Sequence, residues 1–388
     1  MRVLLVGPRG HGGEQVYVET LLRNPAPAVS YVQAGGFHEG APGAPCRVLE
    51  EVLLNRLLHP RLIPDLGFRS LTLREGFDLV HVHAHPVRLG RLGRTPLVMS
   101  EGSCSAVYLG DYLHWSEERI AAGYARARRA YRWLGIHDRL LNLERVSRAY
   151  VFSRWARDLN LRWGAPAEKL TVVYPGFPTP PEVDRQGRNT FSFLFVGTDF
   201  ERKGGFEVVE AFDRLLPHHP EARLILISAD PRLPNPDRAF HSWVSEARRG
   251  QVLSRLEDLQ GRGLVEWHPL QDRSRLYQAF YPLADAFVMP SHAEGFGFTN
   301  VEAASFALPV ISSRVGAIPE AVTEGVGGLL VPAGEVAALE QAMAGLVGDP
   351  VRANALGISG REDFLRRFTL ERFRAEVARV YQQAQECP

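Results

Sequence analysis

The stretch Pro290-Ser291-His292-Ala293-Glu294-Gly295-Phe296-Gly297-Phe298-Thr299-Asn300-Val301-Glu302-Ala303-Ala304 decides how this chain is read. It begins where the apolar run Ala286–Met289 ends, and it passes into a helix-forming segment. A buried strand is therefore expected to stop, turn on glycines and hand over to a helix. Gly295 and Gly297 let the backbone turn tightly and approach a ligand closely. The N–H groups of Phe298, Thr299 and Asn300 would head the helix, the end that favours anions such as phosphate. Glu294 on the loop and Glu302 one turn into the helix can accept hydrogen bonds from two sets of ligand hydroxyls. Thr299-x-x-Glu302 also fits a capping box, in which Glu302 only ties down the helix start.

Working outward, short apolar runs alternate with helical stretches on both sides. Candidate strands are Val3–Val6, Leu79–Val82, Leu97–Met99, Ala149–Phe152 and Leu170–Tyr174, then Phe191–Val196, Leu224–Ser228, Leu264–Trp267, Ala286–Met289 and Val310–Ser312. Continuous apolar runs separated by helices predict parallel sheets covered on both faces. Pro175-Gly176-Phe177-Pro178-Thr179-Pro180-Pro181, followed by a polar stretch to Asn189, has the composition of a linker. With 388 residues and roughly 100–200 per domain, two doubly wound α/β domains are expected. Their boundaries fall at 1–177 and 178–369. Residues 370–388 form an amphipathic C-terminal helix able to pack back on the N-terminal domain.

The opening stretch resembles the Glu-x7-Glu motif of glycosyltransferase family 4, a retaining family of GT-B fold, in its Pro-Ser-x-x-Glu-Gly-Phe-Gly setting. The resemblance continues through Leu308-Pro309-Val310-Ile311, Gly316-Ala317-Ile318-Pro319-Glu320 and Gly327-Gly328-Leu329-Leu330-Val331. Ala307 stands where that family often has Gly. The resemblance implies GT-B architecture, two Rossmann-like domains facing across a cleft. It implies donor binding on the second domain and acceptor binding on the first. By resemblance Glu294 contacts the donor sugar, Glu302 contacts the ribose, and transfer keeps the anomeric configuration. The substrate would be a nucleotide-diphosphate sugar, with no separate cofactor.

Three further segments bear on chemistry. Arg202 and Lys203 follow the strand Phe191–Val196, and a fork and a point charge suit a leaving diphosphate. They resemble the family's diphosphate site, in which the arginine sits somewhat earlier; a solvated loop pair is the alternative. Gly12-Gly13-Glu14, after the first strand, resembles the family's first loop over the donor phosphates. It lacks the Lys-Ser/Thr of a phosphate-binding P-loop, and a tight turn is the plain alternative. His81, His83 and His85 alternate along one strand face, a spacing that can hold a metal, but no second cluster completes a site. One or two are expected to line the cleft. Where the family places a catalytic histidine, after Pro96–Ser100, this chain has Glu101. Glu101, His83 or His85 is then the candidate helper. No Asp-x-Asp follows a strand, which fits metal-independent transfer.

Composition bounds the rest. Residues 1–180 hold 23 basic and 16 acidic side chains, +7, and the remainder 22 and 28, −6, so the halves suit different partners. Cys46, Cys104 and Cys387 are too few and too scattered for a disulfide framework or zinc site. Arg2–Val6 is too short for a signal peptide, and no apolar run is long enough to span a bilayer. A cytoplasmic protein is expected. Between Arg119 and Arg162 eleven arginines face three acids, with Tyr131, Trp133, Trp155 and Trp163 interleaved. This is either a helix pair with snorkelling arginines or a surface for an anionic membrane or acceptor at the inner membrane face. No nucleic-acid-binding module is recognisable. Beside the transferase, two readings stay open: a GT-B binding or scaffold subunit without chemistry, and a nucleotide-sugar epimerase.

Overall fold

A computed structural model describes residues 1–8, 13–34, 46–50, 69–89, 95–185, 187–233 and 242–386. The chain divides into two compact units, Met1–Gly176 with Leu370–Pro388, and Phe177–Thr369.

In the first unit the strands are β1 (Arg2–Val6), β2 (Ser30–Gln33), β3 (Cys46–Glu50), β4 (Arg69–Leu73), β5 (Leu79–His83), β6 (Val87–Leu89), β7 (Leu97–Glu101), β8 (Ile136–His137), β9 (Arg148–Val151) and β10 (Leu170–Val172). Six of them form a parallel sheet in the order β10-β9-β7-β5-β1-β2. Val3, Leu4, Leu5, Leu79 and Val80 are fully buried, as strands covered on both faces require. The chain order reverses between β1 and β5, and ligands of open α/β sheets bind beyond the strand ends at such a reversal. β3, β4, β6 and β8 make a second, four-stranded mixed sheet that the apolar pattern did not predict. Its strands are short, and each contributes a buried residue, Cys46, Leu71, Val87 or Ile136, to the core.

The arginine-rich stretch holds two helices, Glu117–Leu134 and Arg154–Arg162, with β8, a loop and β9 between them in the chain. The two meet where the Tyr124 ring packs edge-on against Trp163 at 5.2 Å and Arg162 lies 3.8 Å from Glu117. Ser116 caps the first by accepting from the Arg119 N–H, Glu117 and Glu118 sit in its first turn, and Gly135 closes it at φ 64°. Ile120, Tyr124, Ala127 and Tyr131 form its buried face, while Arg129, Arg132 and Trp133 stay exposed. The C-terminal helix Leu370–Glu386 buries Phe373, Val377, Val380, Tyr381 and Ala384 within the first unit, the spacing of an apolar helical stripe.

The second unit holds β11 (Phe191–Gly197), β12 (Ala222–Ser228), β13 (Val265–His268), β14 (Ala286–Met289), β15 (Val310–Ser313) and β16 (Gly328–Val331). All pair in parallel, in the order β13-β12-β11-β14-β15-β16. The reversal lies between β11 and β14, so the loops after these two strands meet at the sheet's ligand-binding edge. The helix Pro350–Arg367 lies close on this unit: a Cβ on Gly357 would sit 2.1 Å from the Ala307 carbonyl oxygen. Ala307 itself has φ 57°, which is why a glycine suits that position.

Candidate functional site

The loop after β11 curls into a tight turn, with Lys203 N–H donating to the Asp199 carbonyl at 3.0 Å and Gly204 N–H to Glu201 at 2.9 Å. Gly204 has φ 80°, and a Cβ there would stand 2.3 Å from the Pro290 carbonyl oxygen. Only glycine lets this turn lie against the end of β14. Two bonds then fasten the loops together: the His292 N–H donates to the Arg202 carbonyl at 2.8 Å, and Arg202 Nη1 donates to the Ala293 carbonyl at 2.9 Å. Arg202 also lies 3.8 Å from Glu294 and 3.5 Å from Asp199. Lys203 Nζ contacts Glu294 Oε2 directly.

This brings Arg202, Lys203 and Glu294 into one half-buried cluster. Burial raises the Glu294 carboxyl, but the charges of Lys203 and then Arg202 outweigh it and hold its pKa below the usual range. Burial, with Arg202 beside it, lowers Lys203. Two cations face two carboxylates here, so an arriving anion would compete with Glu294 and Asp199 for the basic pair.

The helix over Phe298–Ser305 starts at Gly297, φ 83°, as its N-cap. Thr299 is therefore its second residue, and the expected capping box with Glu302 does not form. A glycine in the left-handed region has already turned the chain two residues earlier. Phe298 and Thr299 head the helix, Thr299 Oγ1 reaches Met289 Sδ at 3.2 Å, and the Asn300 N–H turns back to Gly297. Asn300 is fully buried, with Nδ2 donating to Ser312 Oγ at 3.2 Å. Glu302 is buried too. Its Oε2 accepts from the Tyr281 hydroxyl at 2.9 Å and its Oε1 lies 2.8 Å from Arg273 Nε. Glu201, which holds Val244 N–H at 3.0 Å and Arg249, and Glu207, which pairs with His292 at 3.3 Å and Arg248 at 2.9 Å, support the loop from behind. The sequence reading missed both, because only their distant partners mark them.

In the first unit a second cluster lies at the β1/β5 edge. Gly12 lies outside the described residues. Gly13 opens the helix Gly13–Arg23, which places Glu14 in its first turn. His83 Nε2 lies 2.5 Å from Glu14 Oε2. The Tyr17 ring at 4.3 Å and the stacked Phe152 ring at 5.8 Å clamp the imidazole. The histidine alternation breaks after His83: Ala84 adopts φ 60°, so His85 leaves the strand face that His81 and His83 share. Burial, then the neighbouring Arg69, push His85 down to about 3 and keep it neutral. Glu101 is engaged by the buried guanidinium of Arg139, which also lies 3.4 Å from Asp138. Burial pushes Arg139 down to about 9, against the pull of Glu14. No group of three His, Cys, Asp or Glu side chains is placed to hold a metal ion among the described residues.

Residues 182–363 match the family model described as glycosyl transferases group 1. An alpha-maltose-1-phosphate synthase of Mycolicibacterium smegmatis is 31% identical over 224 residues, 54% of this chain and 54% of that protein. The chain spans about half the length of such curated relatives. A sucrose-phosphate synthase from Thermosynechococcus elongatus superposes with a TM-score of 0.68 at 19% identity, covering 100% of both chains. Anabaena HepE, solved in complex with UDP-glucose, superposes with a TM-score of 0.62 at 16% identity, covering 100% of this chain and 98% of its own. The fold is thus the two-unit Rossmann-like fold of the GT-B glycosyltransferases.

Proposed function

We propose that this chain, whose second unit carries the group 1 glycosyl transferase sequence, moves a sugar from a nucleoside diphosphate sugar to an acceptor. The observation that carries the reading is the meeting of Arg202, Lys203 and Glu294 across the β11/β14 reversal. On this reading the donor diphosphate displaces Glu294 from Lys203 and takes both cations, which stabilise the leaving group without a metal. Glu294, once released, accepts from the sugar hydroxyls, and Glu302 serves the ribose. Front-face displacement keeps the anomeric configuration. UDP-glucose is the first donor to test, since it is the ligand of the Anabaena HepE structure.

The experiment follows release of nucleoside diphosphate from UDP-, GDP- and ADP-sugars with a panel of saccharide, lipid-linked and small-molecule acceptors. Acceptor-dependent release that is lost in Glu294→Ala supports the reading. Conversion of the donor without acceptor marks an epimerase instead. Nucleotide binding without turnover marks the scaffold subunit, a reading favoured by the engagement of Glu101 with Arg139. No nucleotide binding at all would sink the donor site.

A peripheral contact with an anionic surface at the inner membrane face is proposed for the helix Glu117–Leu134, where Trp133 is 85% exposed beside Arg129 and Arg132. No helix is long and apolar enough to cross a membrane among the described residues. Co-sedimentation with anionic vesicles that weakens with salt and is lost in Arg129→Glu/Arg132→Glu tests it.

A further inference from the structure

A chain of polar side chains runs from the β1/β5 edge of the first unit into its C-terminal helix. Glu14 Oε2 lies 2.5 Å from His83 Nε2. His83 Nδ1 lies 2.7 Å from Ser100 Oγ, and the same hydroxyl lies 2.7 Å from His81 Nε2. His81 Nδ1 is 2.8 Å from the Tyr381 hydroxyl, which is 3.0 Å from that of Tyr31. His81, His83, Ser100 and Tyr381 are buried. A side branch joins Tyr150, whose hydroxyl is 3.4 Å from His81 Nε2, to Tyr17.

The protons along this chain can be counted. A hydroxyl donates one, and a neutral imidazole has one donor and one acceptor nitrogen. Burial, then the neighbouring His83, push His81 well down, so it is neutral. Burial pushes Tyr381 and Tyr31 up, so both stay phenols. Burial also opposes ionisation of Glu14, but His83, Arg139 and the Gly102 N–H outweigh it. An ionised Glu14 only accepts, so His83 Nε2 must carry a hydrogen. Where His83 Nδ1 carries no hydrogen, it accepts from Ser100. Ser100 then accepts from His81 Nε2–H, His81 Nδ1 accepts from Tyr381, and Tyr381 accepts from Tyr31. Every proton points toward Glu14. The opposite order puts a hydrogen on His83 Nδ1 as well, which makes it an imidazolium.

We propose that Tyr381 is a positioning residue whose hydroxyl, acting through His81 and Ser100, keeps the second ring nitrogen of His83, Nδ1, an acceptor while Glu14 holds the proton at Nε2. The C-terminal helix is thereby coupled to the sheet edge that holds Glu14 and His83. That this edge serves sugar transfer rests on the proposed function; the placement of the proton does not.

The test labels the histidines of the full chain with 15N and reads His83 in two-bond proton–nitrogen spectra, assigned by its loss in His83→Gln. In the unaltered protein His83 shows the Nε2–H form. Tyr381→Phe keeps the ring that packs 5.7 Å from His81 and removes the hydroxyl; His83 then populates a second protonation form, and Ser100→Ala does the same. An unchanged His83 spectrum in folded Tyr381→Phe and Ser100→Ala overturns the proposal. If Tyr381→Phe does not fold, Ser100→Ala tests the relay through which Tyr381 acts, and an unchanged His83 spectrum there overturns the proposal. Donor turnover, followed in parallel, shows kcat about tenfold lower at unchanged donor KM, part of the roughly 10²–10⁴ carried by a positioned proton-transfer group. If the unaltered protein turns over no donor, the transferase reading fails and the nitrogen spectra still decide the role of Tyr381.

Discussion

Lys203 on the loop after β11 contacts Glu294 on the loop after β14, 91 residues further along the chain. The contact sits at the strand-order reversal of a parallel sheet, where two loops leave in opposite directions and a ligand can enter between them. Its consequences can be measured one residue at a time.

Removing the carboxylate should abolish function without unfolding the protein. Glu294→Ala and Lys203→Ala are each expected to lower kcat by about 10²-fold or more, the scale of one lost charge-stabilising group in a preorganised site. Far-UV circular dichroism should be unchanged. Turnover within threefold of the unaltered protein in both variants would remove the pair from the site.

The same pair has a pH signature. Lys203 and Arg202 depress the Glu294 pKa below its ordinary 4.5. A carboxylate with a depressed folded pKa contributes stability that is present above the unfolded value and lost as pH falls through the folded one. The stability difference between the unaltered protein and Glu294→Gln should therefore be constant from pH 7 to about 5 and shrink below 4.5. Urea titrations across that range measure it, and a difference independent of pH would contradict the ion pair.

Glu101 is expected to act on stability through Arg139. Glu101→Ala takes its direct partner from a buried guanidinium and leaves it with Asp138 at 3.4 Å and the more distant charge of Glu14. Breaking a buried pair from one side costs about 3 kcal/mol or more. In a unit of this size that is a fall in Tm of about 6–12 °C. Calorimetry of Glu101→Ala and Glu101→Gln checks it; an unmoved Tm with a large loss of kcat would assign Glu101 to the chemistry instead.

Two glycines in helices should respond differently to alanine. Gly250, in the helix Glu246–Gly261, has nothing within 4 Å of a new Cβ. Gly250→Ala should stabilise by about 1 kcal/mol through helix propensity. Gly357 gains the same propensity, but its Cβ would meet the Ala307 carbonyl oxygen at 2.1 Å. Overpacking of about 1–3 kcal/mol then cancels or exceeds the gain. Chemical denaturation of both variants decides whether the helix Pro350–Arg367 lies as close as described.

Much of the candidate site is legible in the order of residues. The aliphatic run of β1 and the phenylalanine-rich run of β11 announce buried parallel strands, because a strand covered on both faces has no polar period. Gly-rich turns after β11 and β14 announce where backbone must bend, because φ near +80° at Gly204 and Gly297 excludes other side chains at little cost only to glycine. Such signals are local, and the chain carries them in a few consecutive residues. The partners of the charged side chains are different. That Glu302 is taken by Tyr281 and Arg273, that Arg139 comes to Glu101, and that His81 meets Tyr381 300 residues away are matters of which elements pack together. No spacing along the chain encodes them. Sequence by itself therefore determined the central strands of the two parallel sheets, the turns after them and the residue types offered at the site. Tertiary structure alone decided which carboxylate faces which cation and where the buried protons lie, because those follow from the pairing energies of groups that only folding brings within reach.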